Sequence, residues 1–185
     1  MIERLNKGYE TASRTTASDE QATPRYAVEP LIEFITPLPD YIKIWCPFDT
    51  EESQFVKVLS KIKKYVFYSH IDYGQDFFNY EPNEYDIIIS NPPYSIKDKV
   101  FKRLYELNKP YIMLIPIPSL QGIKRFPYIK DSNGLILFDK RINFFKNRDM
   151  NEIQKGISFG VCYLTKGVST IDGINFRSLN TDRLI

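Results

Sequence analysis

Four short apolar runs constrain the fold of this 185-residue chain more than any other feature: YIKIWC (residues 41–46), YVFYS (65–69), YDIIIS (85–90) and YIMLIPI (111–117). Each is too short for a buried helix, and runs such as DIII and IMLI show no polar alternation, the pattern of strands covered on both faces. Between the first two lies TEESQFVKVLSKIKK, where Phe55, Val56, Leu59 and Ile62 fall at helical spacing, with Glu51 and Glu52 expected in the favoured first turn. Ile96, Val100, Leu104 and Leu107 mark another helix, ending before Pro110. Strands alternating with helices imply right-handed crossovers and a mostly parallel sheet. The expected fold class is therefore α/β.

The rest of the chain is arranged around that sheet. Residues 1–22 are polar with no apolar period, and are expected to be a flexible N-terminal tail. Residues 23–185 are expected to form a single domain, opened by Thr23 as a cap, Pro24, and a helix to about Ile35 that Pro37 and Pro39 end. The segment 118–134 (PSLQGIKRFPYIKDSNG in full) lacks periodicity and is expected to be a long functional loop. LILFDKRINFF (135–145) and GISFGVCYLTKG (156–167) alternate and carry glycine turns, predicting an antiparallel closing pair at the sheet edge.

Several function classes fall away at this point. Two cysteines, Cys46 and Cys162, make no disulfide framework, and with a single histidine, His70, they offer no clustered metal spacing, so no metal is expected. A reducing compartment suits that usage. No apolar run reaches the roughly 18 residues of a membrane span, and no signal-peptide layout opens the sequence. A soluble cytoplasmic protein with no membrane partner is expected. The net charge of +2 hides an asymmetry: residues 1–90 carry 9 cationic against 15 anionic side chains, and residues 91–150 carry 12 against 5. The basic half can attract phosphates, and the acidic half can accept a cationic ligand.

In an open parallel sheet, ligands bind outside the carboxyl ends of the strands, near the switch in strand order. Three such ends carry unusual residues: Cys46-Pro47-Phe48-Asp49, Ser69-His70-Ile71-Asp72 and Asn91-Pro92-Pro93-Tyr94. In the last, two prolines fix φ and remove two N–H donors, so the loop presents acceptors: the Asn91 side-chain oxygen and nearby carbonyls. An exocyclic amino group could donate to both. Its lone pair is normally delocalised into the ring, and paired acceptors favour the pyramidal nitrogen that frees it. Tyr94 supplies a face for a planar base.

Asn-Pro-Pro-Tyr after a buried strand resembles the signature of the S-adenosylmethionine-dependent amino-methyltransferases, most closely the small phage-type adenine-N6 DNA methyltransferases. The resemblance covers roughly residues 23–165. It implies a Rossmann-like methyltransferase fold with an antiparallel strand at one edge, S-adenosylmethionine as cofactor, and Asn91, Pro92, Pro93 and Tyr94 as the catalytic set. By the same resemblance, Asp76 and Phe77 would meet the cofactor's adenine, His70 its ribose, and Thr23 its methionine moiety. The family's glycine-rich turn would fall at Cys46, Pro47 and Asp49. No glycine stands there, so side chains such as Asp49, facing the cofactor's ammonium, would replace backbone contacts.

A base inside a duplex must be flipped to reach such a site. Lys124, Arg125 and Phe126 in the 118–134 loop mix cations with an aromatic ring, suited to holding phosphates and filling the gap left by a flipped base. Lys140 and Arg141, expected on a strand, resemble a basic pair near the active site of relatives. The expected partner is nucleic acid, DNA before RNA, with short or relaxed sequence recognition. Adenine in RNA, or a protein glutamine, offers the same planar amino group. A degenerate, non-catalytic binding or anti-defence protein is the third alternative.

Overall fold

The computed structural model describes residues 21–146 and 159–182. Seven strands form one sheet: β1 Lys43–Cys46, β2 Tyr65–Tyr68, β3 Ile87–Ser90, β4 Tyr111–Pro116, β5 Gly134–Phe138, β6 Val161–Lys166 and β7 Gly173–Arg177. They lie in the order β2-β1-β3-β4-β6-β5-β7. β1 pairs parallel with β2 and β3, and β3 with β4, in a register that sets Ile44 beside Ile87 and Ile89 beside Ile112. β6 runs antiparallel to both β4 and β5, and β7 pairs parallel with β5. The expected α/β, Rossmann-like, mostly parallel sheet is the fold the chain adopts. Its antiparallel strand sits one strand in from the edge pair, because β7, unforeseen in the sequence, adds itself outside.

Side chains alternate across the strands, so each strand feeds two cores. Ile44, Cys46, Ile87, Ile89, Ile112 and Leu114 face the layer built by residues 25–35 and 54–59. Trp45, Ile88, Tyr111, Met113 and Ile115 face the layer of Val100, Phe101 and Leu104. β3 and β4 are buried along their whole length, as their unbroken apolar runs require. The Val100 layer belongs to α4, Lys97–Leu107, which stops where Asn108 turns left-handed at φ 48° and donates its N–H to Leu104 O at 3.2 Å.

Other elements depart from expectation for local reasons. The first helix divides into α1 Arg25–Val28, a 3-10 turn Glu29–Leu31 and α2 Ile32–Ile35. Pro30 cannot donate to the carbonyl four residues back, so the α pattern fails there. Glu51 and Glu52 precede the next helix, α3 Gln54–Leu59, instead of occupying its first turn. The loop expected at 118–134 contains a 3-10 turn, Ile117–Leu120, and a short helix, α5 Phe126–Ile129. Lys140 and Arg141 lie beyond the end of β5, not on a strand. There Asp139 is diverted, its N–H donating to Arg177 O and its carboxylate accepting from Leu179 N–H.

Among the described residues no helix is long and apolar enough to cross a membrane, and no cluster of ligating side chains could hold a metal ion. Residues 1–20 of the expected tail lie outside the described residues. Ala22 is ordered, in an antiparallel bridge with Phe145 whose two N–H···O bonds measure 3.0 and 2.9 Å.

Candidate active site

The chain steps from β1 to β2 on one side and places β3 on the other. That reversal is the switch point in strand order, and open α/β sheets bind ligands in the crevice such a point leaves at the carboxyl ends of its strands, here β1 and β3. β4 and β5 point the same way as β3, so the segments at 117–129 and 139–145 emerge at that edge too. Topology thus brings the NPPY loop, the Cys46–Glu52 loop and the basic segments to one side of the sheet.

At the β3 tip, Ser90 is fully buried and donates its hydroxyl to Asp49 Oδ2 at 2.5 Å. Asn91 donates Nδ2–H to Thr23 Oγ1 at 3.1 Å. Its other amide atom, Oδ1, is buried and accepts no hydrogen bond from the described residues. A buried polar atom left without a partner costs on the order of 1–3 kcal/mol, and at a strand tip such an acceptor can take a donor from a ligand. Pro92 and Pro93 follow, and Pro93 leads into a 3-10 turn, Tyr94–Ile96. The Tyr94 ring stands edge-on to Phe144 at 6.3 Å and to Phe159 at 5.9 Å, and Lys97 Nζ donates to the Tyr94 carbonyl at 3.1 Å. Tyr94 is therefore a packed wall of the crevice, with aromatic neighbours on its flanks.

The β1 tip is organised differently. Cys46 turns its thiol into the core, and burial, with the Asp49 charge adding to it, pushes that thiol well above its ordinary value. Only its backbone reaches the tip, where Cys46 O accepts from Ser69 N–H at 3.1 Å. The Cys46 side chain is thus a core residue. After Pro47, Asp49 is buried and its N–H donates to Ser69 O at 3.2 Å, while Thr50 N–H donates to Ser53 Oγ at 2.9 Å. The loop's backbone donors at 49 and 50 are thus taken up by Ser69, at the end of β2, and by Ser53. Asp49 also helps to raise the Tyr163 hydroxyl, after burial and Tyr94, which places all three groups in one neighbourhood.

Of the remaining cofactor candidates, His70 caps the β2 end, with Nδ1 accepting from Asp72 N–H at 3.1 Å. Asp72 Oδ2 also lies 3.2 Å from Nδ1, so the ring meets both the backbone and the carboxylate of Asp72. Asp76 commits both carboxylate oxygens to its own turn, accepting from Phe78 N–H at 3.0 Å and Asn79 Nδ2–H at 3.2 Å. Phe77 is buried against Trp45 and Phe48, with ring centroids at 5.5 and 4.9 Å. Both have structural work in the free protein.

The basic candidates separate as well. Lys124 is exposed, and Phe126 is 61% exposed. Arg125 is only 17% exposed in its side chain. It binds Asp98 at 2.8 Å and donates to the carbonyls of Pro118, Ser119 and Gln121 at 3.5, 3.4 and 2.9 Å. In the free protein Arg125 staples its own loop. Lys140 and Arg141 are exposed at the same edge.

The sequence reading missed Ser90, Phe144, Phe159 and Tyr163. A serine closing the run IIIS beside Asn91 was the signal that could have found the first.

No family model matches the chain, and no curated protein does. Among solved structures, it is similar to a candidate class I S-adenosylmethionine-dependent methyltransferase from Listeria monocytogenes. The two share 13% identity, with 88% of this chain and 67% of that one covered and a TM-score of 0.45. It is also similar to a proposed O-methyltransferase from Agrobacterium tumefaciens, at 11% identity, 84% and 86% coverage and a TM-score of 0.39. Both likenesses are of fold alone.

Proposed function

We propose that this chain transfers a methyl group from S-adenosylmethionine to the exocyclic N6 amino group of adenine in DNA. The observation that carries this reading is Asn91 Oδ1, a buried acceptor without a partner at the tip of a buried strand, in a loop stiffened by two prolines. The resemblance at Asn91–Tyr94 names the same atom as the amine's acceptor.

The residues suit the cofactor through side chains more than through backbone. Asp49, a buried carboxylate hydrogen-bonded by Ser90, offers charge for an ammonium group, and His70, at the end of β2, offers an imidazole for a ribose hydroxyl. Bound S-adenosylmethionine would supply a methyl group on positively charged sulfur, an electrophile for the amine's lone pair. Asn91 Oδ1 and the Pro92 carbonyl would accept hydrogen bonds from the two N–H groups of the target and orient the nitrogen, which would lose its extra proton to solvent. Fixing that nitrogen in a near-attack position can supply several powers of ten in rate. Tyr94, held edge-on by Phe144 and Phe159, would bound the target ring. Lys124, Lys140 and Arg141, in the basic stretch of the chain, would meet the phosphates.

Calorimetric titration with S-adenosylmethionine is the first test, and no binding at millimolar cofactor would end the reading. Labelled-methyl transfer to unmethylated DNA, to RNA and to extract protein then decides the substrate. Label on DNA adenine is the expected result.

A further inference from the structure

Thr23 was expected beside the methionine moiety of a cofactor. The structure gives its side chain another occupation. Its hydroxyl is buried and accepts the Nδ2–H of Asn91 at 3.1 Å, across 68 positions of sequence. An amide group is planar, so anchoring Nδ2 on one side fixes the direction of Oδ1 on the other. Without that anchor, the Asn91 amide could rotate, exchanging its donor and acceptor ends at the target nitrogen.

The anchor is itself held. Ala22, the preceding residue, pairs with Phe145 through two backbone hydrogen bonds, and the next residue, Pro24, opens α1 with its carbonyl accepting from Ala27 N–H at 3.0 Å. The backbone of Thr23 is therefore fixed from both sides. Phe144, adjacent to the bridge, meets the ring of Tyr94. One short strap thus touches both ends of the NPPY loop.

We propose that Thr23 is a positioning residue that aims Asn91 Oδ1 at the substrate amine, and does not act as a cofactor ligand. The inference rests on the proposed amine-methylating function for its kinetic consequence, and on geometry alone for the aim of the amide. The test compares Thr23→Val, which keeps the shape and removes the acceptor, with Thr23→Ser, which restores it.

In full-length protein, the Asn91 side-chain amide resonances, assigned by their loss in Asn91→Ala, should shift and broaden in Thr23→Val and return in Thr23→Ser. In transfer assays, Thr23→Val should lower kcat by roughly ten- to a hundredfold, the scale expected for a misplaced reacting group. Cofactor Kd should stay within about twofold, the size of an effect on no direct contact, and Thr23→Ser should recover most of the rate. A matching loss of cofactor affinity in Thr23→Val, or unmoved Asn91 resonances, would overturn the inference. If the wild-type protein transfers no methyl group yet the resonances respond as described, the proposed function fails while the aiming role stands.

Discussion

The tips of β1 and β3 lie side by side across one crevice, yet they treat their polar groups in opposite ways. At β1, Asp49 and Thr50 spend their backbone donors on Ser69 and Ser53, and the Asp49 carboxylate is already bound by Ser90. At β3, the Asn91 amide is half engaged by Thr23, and Oδ1 is left buried with nothing to accept from. One tip is closed on itself and the other is held open at a single atom. On the proposed function, reaction chemistry belongs to β3, and what β1 contributes to a ligand comes from side-chain charge.

The strongest way to break this contrast is Asn91→Ala. It should lower transfer by about a hundred- to a thousandfold, the scale of losing one preorganised hydrogen-bonding group at a reacting centre. Cofactor affinity measured by calorimetry should be largely spared. Equal loss of rate and affinity would erase the division of labour. Asp49→Asn tests the other side: cofactor affinity should fall by about tenfold, as for losing a charge-assisted contact, with kcat at saturation nearly kept. A large drop in kcat with unchanged affinity would move Asp49 into the chemistry.

Alkaline pH should act on the β1 side and the core behind it. Burial raises the Cys46 and Tyr163 groups well above their usual values and pushes Cys162 up to about 12. These groups are harder to ionise folded than unfolded, so their contribution is complete below the ordinary thiol value of 9.0 and is lost as pH rises through and beyond it. Urea midpoints measured from neutral pH upward should stay level and then fall, and Cys162→Ala should soften the fall. A midpoint that holds steady into strong alkali would contradict the burial of these groups.

The smallest effects separate Lys124 from Arg125. Lys124→Ala should reduce the salt dependence of DNA binding by about one counterion, with little change in fold. Arg125→Ala should leave that slope alone and make the 117–130 segment more sensitive to protease, because Arg125 ties three carbonyls and Asp98.

What could be seen in the sequence followed from burial. IIIS and YIMLIP lie under both layers, so their apolar runs announced strands directly. GINFR gave no such sign, since β7 is an edge strand with Ile174 and Phe176 facing outward. Lys124 and Arg125 are neighbours of like charge, and only three-dimensional contacts distinguish a free cation from a staple. Asn91 stood out because prolines restrict its loop locally. Thr23 also stood out, as a cap and by resemblance as a cofactor neighbour, but nothing in a linear pattern joined it to Asn91.

The Ala22–Phe145 bridge carries a consequence for how the site comes into being. Contacts between distant segments form late in folding, because the intervening chain must first be gathered in. Thr23 reaches the Asn91 amide only once residues 25–35 have docked on the sheet and Phe145 has closed on Ala22, so the aim of the amide depends on both long-range closures. A chain nicked or destabilised at this seam would keep its motif and most of its sheet and lose its aim.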